Sequence, residues 1–594
     1  MSKQVNEKKK KNSVYKRLFS YMKPYKVPLI FSIIFVFIGC FVYALAPLML
    51  GNAINNLKLI FTEGYTAEVS EAFFIFLITM ISCYLLYSIF TYLATHLIVA
   101  CTENTIYDLR KAIDTKLNKL PLNYYDTTTY GDILSRVTND IDTISNSLQS
   151  SLYQIINACF TVVIVIIMML GVSGWLTIVG LLAVPFILYI SAKIAAKSQV
   201  GFDKQMELTG ELNGYVEEYY GGHNVVTVFG KEEEVIGKFE ETNDTLYETS
   251  NRAQFLAGIL MPLSQSMSNI GFVLVALVGA LIAIAGGLSV GMIQAFTQYL
   301  TQFSTPITEV MQISGIIQST SSAATRIFEF LDEQEEVADT ENPKFPEPLK
   351  GQVTFDHVKF GYLPHQTLIH DLDIKINAGE KTAIVGPTGA GKTTLVNLIM
   401  RFYDVKGGGI RIDGVDVREM KRERLREIFG MVLQETWLYS GTIMENIRYG
   451  KLDATDEEVI AAAKAARADA FIRTLPGGYN FVLQEGASNI AQGQRQLITI
   501  ARAMLNDPPI MILDEATSSV DTRTEVLIQD AMAQMMKGRT SFVIAHRLST
   551  IKDSDNILYM QDGDILEVGN HEELMAKDGL YAKLYNSQFA DNNG

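Results

Sequence analysis

The residues best suited to chemistry lie in a glycine-rich turn, 386–394, with the sequence Gly-Pro-Thr-Gly-Ala-Gly-Lys-Thr-Thr. The apolar residues 382–385 before it predict a strand, and residues 395–400 after it predict a helix. In that setting the glycines let backbone N–H groups turn inward around a polyphosphate, and the helix N-terminus adds partial positive charge. Lys392 would reach the β- and γ-phosphates, and the Thr393 hydroxyl would ligate Mg²⁺. We therefore expect the chain to bind a nucleoside triphosphate.

Two adjacent carboxylates, Asp514 and Glu515, follow an apolar run at 510–513 that predicts a buried strand. Asp514 suits the Mg²⁺ shell, and Glu515 would lie near the γ-phosphate and polarise the attacking water. His546 follows a second apolar strand, where ligands gather at the carboxyl ends of a parallel sheet. Tyr362 offers an aromatic face on which adenine could stack, although such a strand aromatic is usually structural.

The chain has 594 residues and is too long for one domain, so the residues above are positioned by only part of it. A net charge of -15 excludes a globally basic surface for nucleic acid, so we expect the nucleotide to serve as fuel. The mean hydropathy is +0.16, and the apolar excess lies almost entirely before residue 325. The four cysteines lie in or beside apolar segments, with no spacing that suggests zinc or a redox pair.

Six segments of the first half are long and apolar enough to cross a bilayer, which takes about 20 residues. The alternative to membrane spans is a buried helical bundle in a large soluble protein. Six apolar segments of this length within 325 residues favour the membrane spans. The basic cluster in the first 26 residues, against the single Lys58 in the predicted outer loops, puts both termini in the cytosol. The six segments are 27–50, 72–100, 155–172, 175–195, 255–285 and 292–313.

Two long segments between these spans, 102–150 and 197–252, are mixed in charge and predict helices that continue into the cytosol as stalks. Near their tips, 123–132 and 219–224 are either solvated turns or short helices that dock onto the nucleotide domain. Acidic residues and three prolines mark a linker after the last span. We therefore predict three regions: a membrane domain with its N-terminal segment, a linker and a nucleotide domain, at 1–325, 326–350 and 351–594.

The second half resembles the ATP-binding domain of ABC transporters over residues 351–590. Residues 386–393 match Walker A, 510–515 match Walker B with its glutamate, and 518–521 resemble the D-loop. The resemblance implies catalytic roles for Glu515, the switch histidine His546 and the loop glutamine Gln434, and metal contacts from Thr393, Gln434 and Asp514. It implies nucleotide contacts from Tyr362, Gly386, Thr388, Gly389, Ala390, Gly391, Lys392, Thr393 and Thr394, with ATP and Mg²⁺ as the ligands.

Together the two halves look like an ABC exporter half-transporter. This implies a membrane α-helical domain of six transmembrane helices with long cytosolic stalks, followed by an α/β P-loop NTPase domain of the ABC type. In that family two chains dimerise, and the stalk tips match the coupling helices that carry motion between domains.

One motif departs from the family: the signature Leu-Ser-Gly-Gly-Gln appears at 490–494 as Ile-Ala-Gln-Gly-Gln. Ala491, Gly493 and Gln494 would contact ATP held by the opposite chain. The missing serine hydroxyl would have donated to the γ-phosphate, a bond of about 1.5–3 kcal/mol, so its loss weakens the site roughly 10- to 100-fold. We therefore expect a heterodimer whose second subunit has a degenerate Walker B or switch site. A homodimer that tolerates Ala491 remains the alternative.

The expected function is ATP-driven efflux of hydrophobic or amphipathic compounds, of multidrug type, across the cytoplasmic membrane by alternating access. The sixth span interleaves glutamines with Phe296, Tyr299 and Phe303, which either line a substrate cavity or pack against neighbouring helices. Lipid or peptide export by the same architecture, and an ATP-gated channel or regulator, are the alternatives. Membrane lipid is an expected partner and nucleic acid is not.

Overall fold

A computed structural model describes residues 14–363, 365–433, 436–514, 520–544 and 548–589. It falls into two compact units. The first unit combines Met1–Asn118 with Tyr130–Glu333, and the second combines Lys119–Thr129 with Gln334–Gly594. The break after Glu333 lies inside the predicted linker. Residues 119–129, which the domain prediction assigned to the membrane domain, are grouped with the second unit, and this agrees with the docking alternative for the first stalk tip.

Long helices build the first unit, and each is 32 to 53 residues long. A helix of that length rises about 48–80 Å at 1.5 Å per residue, so it extends beyond a hydrocarbon core of about 30 Å. A short π-helical turn, Arg136–Asp140, precedes the third of them. The long helices are α1 (Lys26–Glu63), α2 (Ala67–Leu117), α5 (Ile141–Val172), α6 (Gly174–Gly221), α8 (Glu232–Ile284) and α9 (Val290–Asp332). The short ones are α3 (Leu122–Thr127), which belongs to the second unit, α4 (Tyr130–Ser135) and α7 (His223–Val228).

Among the described residues, three helical stretches are long and apolar enough to cross a membrane: Val14–Glu63, Ala67–Leu117 and Tyr130–Val172. A shorter apolar stretch, Asn269–Ile284, lies in α8. The predicted spans on α6, α8 and α9 follow helices of sufficient length, and their crossing of the membrane stays a prediction.

Helices α1, α2, α5, α6, α8 and α9 all contribute to a hydrophobic core of the first unit, and α9 packs directly against α1. Gly51 and Gly291 let the two helices touch, since a Cβ on Gly291 would lie 1.9 Å from the Gly51 carbonyl oxygen. The Tyr299 hydroxyl donates to the Ala44 carbonyl oxygen at 2.7 Å, and Phe296 and Phe303 are buried beside it. Of the two alternatives for these aromatic residues, packing against neighbouring helices is therefore the one observed.

A six-stranded sheet, in the order β12-β11-β3-β10-β9-β6, forms the centre of the second unit. All its pairings are parallel except β11–β12. A four-stranded sheet, β2-β1-β4-β5, and a β7–β8 pair complete the strands assigned in the described residues. The strands are β1 (Val353–Phe360), β2 (Ile369–Ile376), β3 (Lys381–Val385), β4 (Gly407–Ile412), β5 (Val415–Asp416), β6 (Phe429–Val432), β7 (Gly441–Thr442), β8 (Val482–Leu483), β9 (Ile510–Asp514), β10 (Thr540–Ile544), β11 (Asn556–Gln561) and β12 (Asp564–Gly569).

Helices cover the central sheet, whose parallel strands are largely buried on both faces, whereas the antiparallel edge strand β12 is partly exposed. In β9, for example, Met511 and Leu513 join one hydrophobic cluster while Ile510 and Ile512 join the other. The helices are α10 (Lys392–Ile399), α11 (Arg422–Glu427), α12 (Ile443–Arg448), α13 (Asp456–Ala465), α14 (Asp469–Ile472), α15 (Gln492–Asn506), α16 (Thr522–Met536), α17 (Leu548–Lys552), α18 (His571–Ala576) and α19 (Leu580–Phe589).

Candidate nucleotide-binding site

The glycine-rich turn connects the end of β3 to the start of α10, as the sequence predicts. Gly386, Gly389 and Gly391 have φ angles of 152°, 83° and 98°, which favour glycine because a Cβ is strained there. At Gly386 the space is also closed, since a Cβ would lie 2.0 Å from the Met560 carbonyl oxygen in β11. The turn can therefore adopt this path only with glycine at its first position.

Lys392 lies over this turn, and its Nζ donates to the carbonyl oxygens of Gly386 and Pro387, both at 2.9 Å. Burial lowers the pKa of Lys392, while Asp514 acts in the opposite direction. A polyphosphate in the turn would offer the ammonium group charged oxygens in place of two neutral carbonyls, and bonds to charged groups are the stronger ones.

Tyr362 is connected directly to the turn. Its hydroxyl lies 3.0 Å from the Thr394 Oγ1, so the two hydroxyls share a hydrogen bond. The Tyr362 ring also lies edge-on to Phe360, with 5.1 Å between the ring centroids. The side chain remains 41% exposed, which leaves area on which a base can stack.

The turn between β3 and α10 also contains the predicted residues Thr388, Gly389 and Ala390, and Thr393 is the second residue of α10. Thr388 and Thr393 are exposed and Ala390 is buried. The exposed Thr393 hydroxyl is thus available as a metal ligand.

Asp514 ends β9 in register with Ile544 of β10, and Ile544 is in register with Ile384 of β3. The carboxylate therefore lies at the sheet edge from which the glycine-rich turn departs. Mg²⁺ is usually held by one or two carboxylates together with phosphates and water, so Asp514 and Thr393 are a fitting donor set. The described residues contain no cluster of three or more His, Cys, Asp or Glu side chains that could hold a metal without a nucleotide.

Gln434, Glu515 and His546 lie outside the described residues, as do residues 518 and 519 of the predicted D-loop. Glu515 directly follows Asp514 along the chain, and His546 comes two residues after the end of β10. Their catalytic roles remain predictions.

The predicted signature, 490–494, lies at the start of α15. Ala491 is the exposed N-cap residue of this helix and has no side-chain oxygen for capping. Its backbone N–H instead donates to the Gln494 Oε1 at 3.2 Å. Gly493 is buried, and a Cβ there would lie 2.5 Å from the Thr524 Cγ2. Packing thus requires the glycine, whereas nothing around Ala491 requires an alanine.

Sequence reasoning missed one contact of this site. The Tyr403 hydroxyl donates to the Asp126 carboxylate in α3, the first predicted stalk tip, within the second unit. Tyr403 also lies edge-on to Tyr362, with 5.0 Å between the ring centroids. The available signal was an aromatic residue four positions after the end of the nucleotide-binding helix α10, which does not identify a partner 277 residues away.

Comparison with known proteins gives two family matches. The family described as "ABC transporter transmembrane region" matches residues 29–307, and that described as "ABC transporter" matches residues 369–518. The first range lies within the first unit except for residues 119–129, and the second range lies within the second unit.

Relatives match over most of the chain. A fatty acid ABC transporter ATP-binding/permease protein of Mycobacterium bovis is 46% identical over 504 residues, which cover 85% of this chain and 80% of that protein. The putative multidrug export ATP-binding/permease protein YgaD of Bacillus subtilis is 33% identical over 581 residues, covering 97% and 99%. The solved structure of a bacterial Atm1-family ABC exporter with ATP bound matches with a TM-score of 0.75 and 29% identity, covering 95% of this chain and 98% of that one.

Proposed function

This chain belongs to the ABC transporter family as a fused exporter half-transporter, and we propose that it exports hydrophobic or amphipathic compounds across the cytoplasmic membrane. The resemblance drawn from the sequence motifs is confirmed for both halves. As an ABC exporter the protein binds ATP, hydrolyses it to power transport, and functions as a dimer. The class of compound, the composition of the dimer and the cytosolic position of both termini are parts of the proposal.

An apolar groove in the first unit supports the proposal that the substrates are hydrophobic or amphipathic. It has a volume of about 520 Å³, within the range of about 300–1,000 Å³ typical of small-molecule sites. Gln294 and Thr297 supply its polar side chains, and no lining residue is ionisable. Helices α1, α8 and α9 contribute the lining residues Ile54, Phe272, Ala276, Ala280, Ala283, Ile284, Val290, Ile293, Gln294 and Thr297. Such a surface accepts an acyl chain or an aromatic ring and gives a charged peptide no partner.

The names of two relatives agree with this chemistry. One is called a fatty acid transporter and the other a putative multidrug exporter, and both descriptions imply compounds with large apolar surfaces. The two compound classes share an apolar body, and this body is the part of the substrate that the groove would bind.

For ATP hydrolysis, we assign Lys392 to the β- and γ-phosphates and Tyr362 to adenine. Asp514 and Thr393 would hold Mg²⁺, which when bound neutralises phosphate charge. Glu515 would polarise the attacking water, with Gln434 and His546 completing the γ-phosphate side. ATP would lie between the Walker motifs of one chain and the signature of the other. Closure would draw the stalks together and turn the cavity outward, and hydrolysis would reset it.

We further propose that the dimer is a heterodimer. This chain retains every predicted catalytic residue but lacks the signature hydroxyl at Ala491, so in a homodimer both sites would join a complete catalytic set to a weak signature. In a heterodimer the catalytic set here meets an intact signature from a different subunit, and the weak signature covers a site that is degenerate already. Co-purification from native membranes, followed by identification of the second subunit, tests this directly.

The substrate proposal is tested in proteoliposomes by ATPase stimulation and flux, with oleate and a hydrophobic dye as probes and a charged peptide as control. Ala280→Trp fills the groove and should abolish stimulation by either apolar probe. The matched control is Leu281→Trp on the same helix, because Leu281 is 61% exposed and lies outside the groove lining. Equal loss in both variants, or stimulation by the peptide alone, would contradict the proposal. ATP-dependent ion current without coupled flux would favour the channel.

A further inference from the structure

The contact between Tyr403 and the first stalk tip suggests a coupling route inside the second unit. Tyr403 touches two groups with different roles: the proposed adenine platform Tyr362 and the tip residue Asp126. All three residues belong to the same unit, because residues 119–129 are grouped with the nucleotide domain. Tyr403 is therefore placed where nucleotide binding and movement of the stalk tip can influence each other.

The contacts form an unbroken path from the phosphate-binding turn to the tip. Thr394, at the start of α10, shares a hydrogen bond with the Tyr362 hydroxyl. The Tyr362 ring meets the Tyr403 ring at 88°, and an edge-to-face pair of this kind has a preferred geometry that resists sliding. The Tyr403 hydroxyl then donates to the Asp126 carboxylate.

The segment that carries Tyr403 is firmly braced. Arg401 is buried at a φ of 52°, and its guanidinium donates to the carbonyl oxygens of Val417 and Met420, both at 3.3 Å. It also donates to the Asp404 carboxylate at 2.9 Å. Hydrogen bonds thus hold the residues on either side of Phe402 and Tyr403, so we expect a movement of the Tyr403 ring to reach Asp126.

Burial and the neighbouring Asp126 both raise the pKa of the Tyr403 hydroxyl. The group therefore remains protonated at physiological pH and stays a donor to the carboxylate. A phenol donating to a carboxylate is a charge-assisted hydrogen bond, which is among the stronger kinds in proteins.

We propose that Tyr403 is a positioning residue that couples occupancy of the adenine site to the first stalk tip through its hydrogen bond with Asp126. The ring of Tyr403 supports Tyr362, and its hydroxyl holds the tip. These two roles can be separated by substitution. The inference depends on the ATP-binding domain and not on which compound is exported.

The test uses the full chain in proteoliposomes, together with its co-purifying subunit where one is present. An environment-sensitive maleimide on Asn123→Cys, an exposed tip position, reports the tip, in a background with the exposed Cys159 replaced by alanine. Titration with MgATP gives the amplitude of the tip response. A fluorescent ATP analogue gives nucleotide affinity independently.

Tyr403→Phe keeps the ring and removes the hydroxyl. We expect the tip response to fall by about fivefold or more, in the range of typical coupling between sites, while nucleotide affinity changes by less than about twofold. Tyr403→Ala removes the ring as well and should weaken nucleotide binding in addition, which phenylalanine at this position restores. Asp126→Ala should reproduce the Tyr403→Phe result, and the double variant should be no worse than either single one.

Tyr479→Phe is the matched control. Its hydroxyl also donates to a carboxylate, that of Asp469 at 2.8 Å, but the side chain packs against the other hydrophobic cluster of the same unit. It should leave the tip response intact. An unchanged response in Tyr403→Phe, an equal loss in Tyr479→Phe, or additive losses in the double variant would each overturn the proposal.

Discussion

Two helix N-termini of the second unit, those of α10 and α15, are expected to contact ATP phosphates. The two differ in how strongly the fold constrains the residues that would make the contact. At the start of α10, Gly386 cannot be replaced without a collision with backbone, and Lys392 already lies over the turn. At the start of α15, Gly493 is constrained by the side chains of Thr524 and Val520, but the nearby Ala491 is exposed. The missing hydroxyl in the signature is therefore not a requirement of folding. We expect its effect to fall on the ATP that the opposite chain holds.

The largest expected effect tests the first of these sites, the one at α10 that has a complete set of predicted catalytic residues. Glu515→Gln keeps the size of the side chain and removes the base, so turnover should fall by about 10²–10⁴-fold while ATP and Mg²⁺ still bind. Steady-state ATPase together with nucleotide binding measures both quantities. The control is Glu572→Gln, an exposed carboxylate on α18. Turnover at the parental rate would show that Glu515 is not the base.

The next effect tests the second site, the signature at the start of α15 that lacks a hydroxyl at position 491. In the proposed heterodimer, Ala491→Ser would restore a donor to the site whose catalytic residues belong to the other subunit. It should tighten nucleotide binding there by roughly 10- to 100-fold and leave hydrolysis by this chain's own catalytic residues unchanged. Single-turnover ATPase and trapped-nucleotide counts distinguish the two sites. Robust ATPase from this chain alone that rises sharply on Ala491→Ser would instead indicate a homodimer.

A smaller effect separates two glycines of the same turn. Gly389→Ala meets no atom within 4 Å and bears only the strain of a φ of 83°, about 1–2 kcal/mol. Gly386→Ala bears the strain of a φ of 152°, and its Cβ in addition meets the carbonyl oxygen of Met560, which is paired with Ile565 of β12. Thermal unfolding should therefore show a larger loss of Tm for Gly386→Ala. Equal losses would mean that the close approach is relieved elsewhere.

The sequence predicts the first helix N-terminus well because its signals are local. Strand, glycines, lysine and helix lie within about 20 consecutive residues, and the carboxylate of Asp514 reaches the same edge through the parallel register. The Tyr403–Asp126 contact was not predictable in this way, since it joins positions 277 residues apart and no local pattern specifies it. The face of α9 posed a related problem. Helical spacing puts Phe296, Tyr299 and Phe303 on one face but does not say whether that face meets a cavity or a neighbouring helix, and the structure shows the neighbour.

The smallest effect concerns the stability of α15 itself. A serine at position 491 would supply an N-cap oxygen for the backbone N–H of Gln494, and the Gln494 side chain already accepts from the backbone N–H of Ala491. The substitution would therefore complete a capping box, worth about 1 kcal/mol, or about 2–4 °C in Tm for a domain of this size. The reciprocal control is Thr442→Ala, because the Thr442 hydroxyl already accepts from the Glu445 N–H at 3.1 Å in the capping box of α12. Ala491→Ser should raise Tm without nucleotide, and Thr442→Ala should lower it. If Ala491→Ser left the nucleotide-free Tm unchanged but still tightened ATP binding at the opposite site, the hydroxyl would act on the phosphate alone. If it raised Tm without any change in nucleotide binding, the departure at Ala491 would be a structural one and the argument for two unequal ATP sites would fail.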